Sequence, residues 1–297
     1  VPLVSIGLSI YNAENYLAAQ IESLLAQTLS DFDLIITDNA STDRTEEICR
    51  SYVARDRRVR YHRNLRNIGG GANQNVALEL ALPAPYFKWA AHDDVHAPRF
   101  LELCVAALER EPAASLAFCK SELIDAQGKV TGARVLDLPL GSDDVVARFV
   151  SLLPSYDCME IYGVVRRDLA QPIGTYKDGD GVWLARLALI GRFVEVPEVL
   201  FYNRRHSAQA GTQFESDYRG WTVWWDARNA KKRTFPTWRR EAELWRVLLA
   251  SDLPPRERLR CALALARWEK SRRHRFVDDI AFHAKDIMAS LVRSAKS

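Results

Sequence analysis

Tyr86-Phe87-Lys88-Trp89-Ala90-Ala91-His92-Asp93-Asp94 is the stretch whose reading decides the fold. Its first half is apolar and aromatic, as a buried strand is. Its second half ends on two adjacent carboxylates, and the breaker Pro98 follows. Acids at the carboxyl end of a strand stand where open α/β sheets bind their ligands. Neighbouring carboxylates repel, so one keeps its proton or both share a cation. Hard divalent ions such as Mg2+ select oxygen ligands and often bridge to a substrate's phosphates. The plainer alternative has Asp93 and Asp94 opening a turn and capping a helix that begins near Arg99. The flanking sequence decides between them.

Upstream, Val4–Ile10 reads as a strand, with Tyr11 and Asn12 at its carboxyl end. Leu17, Ile21, Leu24 and Leu25 recur at helical spacing between Glu14 and Gln27. Phe32–Thr37 is a second strand running into the polar turn Asp38–Asp43. Ser41 or Thr42 is expected to cap the helix that follows, through Tyr52. Val59–His62 is a short third strand. Strands alternating with helices predict a parallel sheet joined by right-handed crossovers. Gly69, Gly70 and Gly71 then lead into a helix predicted from Asn75 to Leu82. A glycine loop opening a helix can hold phosphate, but neither a Walker loop nor GxGxxG is present. A helix-packing loop is the favoured reading of it.

Taken together, the first hundred residues resemble family 2 glycosyltransferases of the GT-A fold. The family's opening strand ending in Tyr-Asn, with a helix closing on Gln-Thr, is matched by Val4–Thr28. Its Asp-x-x-Ser-x-Asp turn is matched by Asp38, Ser41 and Asp43, and its Asn-x-Gly loop by Asn67, Gly69 and the later Asn75. Its acidic metal motif is matched by His92-Asp93-Asp94. Four motifs in order are specific where each alone is weak. Ser9, Gln74 and Ala91 depart from the pattern, standing where many members have proline, arginine and a first acid. Ala91 leaves open whether Asp93 or Asp94 is the main metal ligand.

The middle of the chain continues the resemblance. A strand is expected over Ala113–Ser121, a hairpin turning at Gly128-Lys129, a helix over Ser142–Leu153 and a strand at Tyr162–Arg166. In Lys177–Arg186 the family has an acid before a Leu-x-x-Arg helix. Asp180 is the match, Gly179 replaces a usual Glu, and Asp178 is the rival. Asp180 also reads as the N-cap of a helix through Ile190. The strand Pro197–Asn203 runs into Arg204-Arg205-His206, like the family's Tyr-Arg-x-His ending.

The resemblance implies an α/β protein of GT-A type, with a mostly parallel central sheet flanked by helices and an appended helical C-terminal region. Residues 1–100 form the nucleotide-sugar-binding half, 101–211 the acceptor and catalytic-base half, and 212–297 the extension. It implies an inverting transfer from a nucleotide-diphosphate sugar, UDP-linked, to a carbohydrate, lipid-linked or small-molecule hydroxyl. Mg2+ or Mn2+ is the implied cofactor, held by Asp93, Asp94 and His206. Tyr11, Asn12, Glu14, Asp38, Asn67, Gly69, Asn75, His92, Asp93, Arg204 and His206 are the implied donor-binding residues, and Asp180 the base. A nucleotidyltransferase is the alternative, though Ser9–Glu14 lacks the basic glycine loop it needs; so is a binding protein without turnover.

Composition sets the outer bounds. With 297 residues, 48% hydrophobic and 27% charged, the chain is an ordinary globular protein. A net charge of +3 does not point to nucleic acid. Cys49, Cys104, Cys119, Cys158 and Cys261 form no CxxC pair, which fits a reducing, cytoplasmic setting. Trp221, Trp224 and Trp225 share one helical face and read as core. Further helices are expected at Thr237–Ala250, Pro255–Ser271 and Arg273–Val292. Residues 255–297 carry 11 Lys and Arg against 5 Asp and Glu, a net +6. Such a tail suits either a solvated helical cap or the inner face of an anionic membrane.

Overall fold

The computed structural model describes residues 1–154, 157–174, 179–209, 218–281 and 283–284. One nine-stranded sheet runs through it. The strands are β1 (Val4–Ile10), β2 (Phe32–Asp38), β3 (Val59–Arg63), β4 (Tyr86–Ala90), β5 (Val95–His96), β6 (Ala114–Ile124), β7 (Val130–Arg134), β8 (Val164–Arg166) and β9 (Arg192–Arg204). Their order is β3-β2-β1-β4-β8-β6-β9-β5, with β7 paired to β6. β3, β2, β1 and β4 are parallel neighbours, and so are β6 and β9; β8 runs against both β4 and β6. The sheet is therefore mostly parallel, and β8 joins its two parallel blocks.

Alternation along β4 distributes the core. Phe87 and Trp89 face one side, with Phe149, Leu184 and Leu187. Tyr86 and Ala90 face the other, with Leu17, Leu24, Phe100 and Leu108. The second side is covered by α1 (Leu17–Leu25), α2 (Thr45–Arg55) and α4 (Phe100–Arg110). The first is covered by α3 (Gly70–Leu80), α5 (Val145–Ser151) and α6 (Gly179–Ile190). Onto these pack α7 (Tyr218–Trp225), α8 (Pro236–Leu249) and α9 (Pro255–Ser271). Leu244, Leu248, Cys261 and Leu265 are fully buried in the same core as Leu184 and Phe149. The C-terminal helices thus complete the core over α5 and α6.

Several local expectations change. No Ser41 or Thr42 cap forms: α2 begins at Thr45, whose N–H is accepted by Asp43 Oδ1 at 3.0 Å, while Ser41 Oγ donates to Asp38 at 2.5 Å. Asp93 and Asp94 do not cap α4, whose N-cap position is Arg99 without a side-chain bond. Asp180 is not an N-cap either, because α6 already begins at Gly179. The helix expected over Arg273–Val292 is seen as helical residues 274–281, and the rest of that span lies almost wholly outside the described residues, as does Asp178.

The glycine loop is largely helix. α3 starts at Gly70, five residues earlier than its polar sequence suggested, and only Gly69 has left-handed backbone, at φ 97°. An ideal Cβ on Gly71 would lie 2.5 Å from the Trp225 ring, and one on Gly70 3.2 Å from the Trp224 ring. These glycines form a smooth seat for α7, consistent with the packing reading. At Gly69 a Cβ would meet the Asp226 backbone at 2.6 Å in a conformation that L side chains avoid. Gly69→Ala should therefore cost about 1–3 kcal/mol in urea unfolding. Gly132→Ala, where nothing lies within 4 Å, should stay within about 0.5 kcal/mol of the parent.

Candidate active site

The carboxyl ends of β1, β2, β4 and β9 converge. The loop after β1 is fastened to the loop after β2. Asn12 N–H donates to Ser41 Oγ at 2.9 Å, and Thr42 N–H donates to Asn12 Oδ1 at 2.9 Å. Glu14 N–H donates to Asp43, and Arg44 N–H donates to Glu14. Asn12 and Ala40 hold positive φ of 47° and 63°, uncommon for non-glycine residues and concentrated at these two strand ends. Tyr11 is 40% exposed beside them.

Asp38 is fully buried. Its carboxylate accepts from Ser41 N–H and Oγ, and from the Tyr61 hydroxyl at 2.7 Å. It shapes the turn. An asparagine network missed by sequence reasoning continues from it. Asn39 donates to Asn67 Oδ1 at 2.9 Å and accepts from Asn64 and from Ile68 N–H. Asn67 also accepts from Gly69 N–H, and Asn73 ties Asn64 to the Thr37 carbonyl. Asn75 grips both backbone groups of Ile173, at 2.7 and 2.9 Å, on the segment leading to α6. The density of asparagine at these loops was the available signal, but the pairings are long-range.

The two acids after β4 differ in kind. Asp94 is almost wholly buried. Its Oδ1 accepts from Asn203 Nδ2 and Arg204 N–H, both at 2.9 Å, and its Oδ2 accepts no hydrogen bond among the described residues. Burial, then the charge of Asp93, pushes its carboxyl well above the usual range. Asp93 is also buried, at 7% exposure. Burial pushes its carboxyl up too, but His92 and the bonded His206 more than offset this and hold it below the usual range. His206 Nε2 lies 3.0 Å from Asp93 Oδ2, and the His206 ring packs 4.7 Å from Tyr16. Arg204 Nε donates to the Asp93 carbonyl at 2.8 Å, and its Nη1 donates to the Asp125 carbonyl at 3.0 Å. Its guanidinium also stacks 4.8 Å from the Tyr16 ring. Arg204 is thus turned into the backbone, where the sequence suggested a ligand contact.

Asp180 stands in the first turn of α6, its Oδ1 accepting from Gly181 N–H at 2.9 Å. Any side chain at Gly179 would collide with the Gly174 carbonyl, which accounts for glycine where the resemblance suggests Glu. Between Asp180 and the paired acids lies Tyr162. Its hydroxyl is pushed up by burial and then by Asp94, Asp93 and Asp180.

A cation fits only part of this arrangement. Among the described residues no three His, Cys, Asp or Glu side chains converge on one point. Mg2+ and Mn2+ sites that serve phosphates often use one or two carboxylates, with phosphate oxygens and water completing the shell. The ionised Asp93 beside His206 suits that pattern, with an unpartnered oxygen on the neighbouring Asp94.

An α/β sheet with donor-loop and acidic ends of this kind is a GT-A architecture. Staphylococcus aureus TarS, residues 1–349 in complex with UDP-GlcNAc, superposes with a TM-score of 0.66 at 16% identity, over 90% of this chain and 72% of that one. Residues 5–125 match the model of glycosyl transferase family 2. An uncharacterized glycosyltransferase of Methanocaldococcus jannaschii, MJ1057, is 36% identical over 131 residues, which is 43% of this chain and 45% of that protein. Escherichia coli chondroitin synthase is 32% identical over 130 residues, 44% of this chain and 19% of that enzyme. The chain thus matches less than half the length of these curated relatives.

Beneath the site, Lys88 is wholly buried and donates to the carbonyls of Trp89 at 3.0 Å and Tyr162 at 2.7 Å. Burial lowers its pKa to about 7, against the smaller opposing influence of Cys104, Cys119 and Asp94. An unfolded lysine titrates near 10.4. Between about pH 7 and 10 the unfolded chain therefore holds a proton that the folded chain has lost, and this group's contribution to stability rises with pH. The stability of the parent relative to Lys88→Met should increase from pH 7 to pH 10 in urea titrations. A pH-independent difference would contradict this.

Proposed function

We propose that the chain transfers a sugar from a nucleoside-diphosphate sugar to an acceptor hydroxyl with inversion at the anomeric carbon, and that it uses Mg2+ or Mn2+. The observation that carries this reading is the Asp93–His206 contact of 3.0 Å, placed where the ends of β4 and β9 meet. A UDP-linked donor is supported by the UDP and UDP-GlcNAc complexes of TarS.

The residues divide the work. Tyr11 offers its exposed face to the base, while the Asn12–Ser41 and Glu14–Arg44 contacts hold the loops that border the nucleotide. Asp93 and His206 would hold the cation, whose chemistry there would be to neutralise charge on the diphosphate. Asp94 keeps Asp93 in place by fixing Asn203 and Arg204, whose guanidinium returns to the Asp93 carbonyl. Asp180 accepts the proton of the acceptor hydroxyl as that oxygen attacks the anomeric carbon and the diphosphate leaves with the bonding pair. One base opposite one leaving group gives a single displacement, hence inversion. The acceptor is a hydroxyl of a glycan, a lipid-linked sugar or a small molecule.

Asp180→Asn keeps a hydrogen-bonding side chain in the first turn of α6 and removes the proton acceptor. Turnover, measured as UDP release from UDP-sugars, should fall on the order of 10²–10⁴-fold. UDP affinity, measured calorimetrically with Mn2+, should change less than about threefold, the pattern of an interaction confined to the transition state. Asp93→Asn should instead weaken UDP binding in Mn2+. Unchanged turnover in Asp180→Asn, or a larger loss in Asp178→Asn, would refute the assignment. Tight UDP binding without sugar release in the parent would favour a binding protein.

A further inference from the structure

The excess basic charge of the C-terminal region has a definite address. α9 buries Cys261 and Leu265 against the core. Its opposite, exposed face presents Arg256, Leu259, Arg260, Leu263, Ala266, Arg267 and Lys270 and contains no carboxylate. The two acids of the helix, Glu257 and Glu269, lie off that face, and Glu269 accepts from Trp245 at 2.7 Å. Arg260 is partly neutralised by Glu257 and Asp144, at 2.8 and 3.2 Å. Arg256, Arg267 and Lys270 have no ion-pair partner among the described residues. Leu259 and Leu263 are one turn apart and 60% and 50% exposed, an unusual outlay of leucine toward solvent. Exposed Arg273 and Arg275 extend the basic run just beyond the helix.

We infer that this face of α9 is a docking surface for an anionic lipid bilayer, lying in the plane of the headgroups. Two observations favour lipid over nucleic acid. The apolar residues between the cations are leucines, which enter acyl chains, rather than the aromatic platforms on which bases stack. Along the helix Arg256 precedes the leucines and Arg267 and Lys270 follow them, so that the cations reach headgroup phosphates while the leucines point inward. No helix among the described residues is long and apolar enough to cross a membrane, so this contact is peripheral. The inference stands independently of the sugar-transfer reading.

The experiment is co-flotation of the full chain with vesicles of phosphatidylcholine alone or with 30 parts in a hundred (about a third) phosphatidylglycerol, at two salt concentrations. Binding is expected to the anionic vesicles only, and to be weakened by salt. Arg256→Ala/Arg267→Ala/Lys270→Ala removes three surface cations and should lower partitioning on the order of a hundredfold. Leu259→Ser/Leu263→Ser should lower it at least about tenfold while net charge is unchanged. All five positions are exposed, so melting temperatures should stay near the parent's, and UDP binding should persist in both variants. Absence of binding to anionic vesicles, equal binding to neutral ones, binding unaffected by both variants, or capture of polyuridylate in place of vesicles would overturn the inference.

Discussion

Asp94 accepts two hydrogen bonds at 2.9 Å, from the side chain of Asn203 and the backbone of Arg204, and Arg204 returns one to the carbonyl of Asp93. This closed set of bonds joins the loop after β4 to the end of β9, which lie on the two sides of β8 in the sheet. A buried carboxylate without partners costs several kcal/mol, so the clasp forms only when both ends are in register. Its consequence is chemical. It sets the buried Asp93 against His206, while Asp94 is held by Asn203 and Arg204. Two adjacent, identical residues thereby take unequal partners, Asp94 the end of β9 and Asp93 the His206 ring.

The surrounding structure supports that division. Lys88, two residues before the end of β4, places its amine near Asp94 and holds the Tyr162 carbonyl. Tyr162 ends the short turn Met159–Tyr162, which begins after Cys158 in left-handed backbone at φ 49°. That turn packs against the start of α6, and so brings the Asp180 end toward the Asp93 end. Asn75 performs the equivalent service from α3 by gripping Ile173. Burying so many polar groups around one cleft sacrifices stability for orientation, the usual relation between a site and its scaffold.

What could be read beforehand followed from local rules. β-Branched and apolar residues located β1 to the residue, the apolar, aromatic run from Tyr86 marked where β4 starts, and the helix predicted over Pro255–Ser271 has those very ends, because proline at its start and an apolar stripe are local signals. The fold class and the family resemblance also rested on residues close in sequence. What was missed depends on distance along the chain. Gly70 and Gly71 look like loop residues until Trp224 and Trp225, about 150 positions later, occupy the space that side chains would fill. Ser41 looks like a helix cap until Asp38 takes its hydroxyl. Arg204 looks like a phosphate ligand until Asp93, Asp125 and Tyr16 surround its guanidinium. No periodicity encodes the asparagine network of Asn39, Asn64 and Asn73, since each link spans separate elements.

The central claim is that Asp93, oriented by the Asp94 clasp and paired with His206, holds the divalent ion together with the donor's diphosphate. Mn2+ paramagnetic resonance measures it directly, since free aqueous Mn2+ gives a sharp signal that binding broadens. Titrating the parent with UDP at fixed Mn2+ should deplete the free-ion signal beyond what UDP alone does in buffer. Asp93→Asn and His206→Ala should each abolish that excess depletion while their melting temperatures remain close to the parent's. Depletion of equal size in the parent and in Asp93→Asn would contradict the account and place the ion elsewhere.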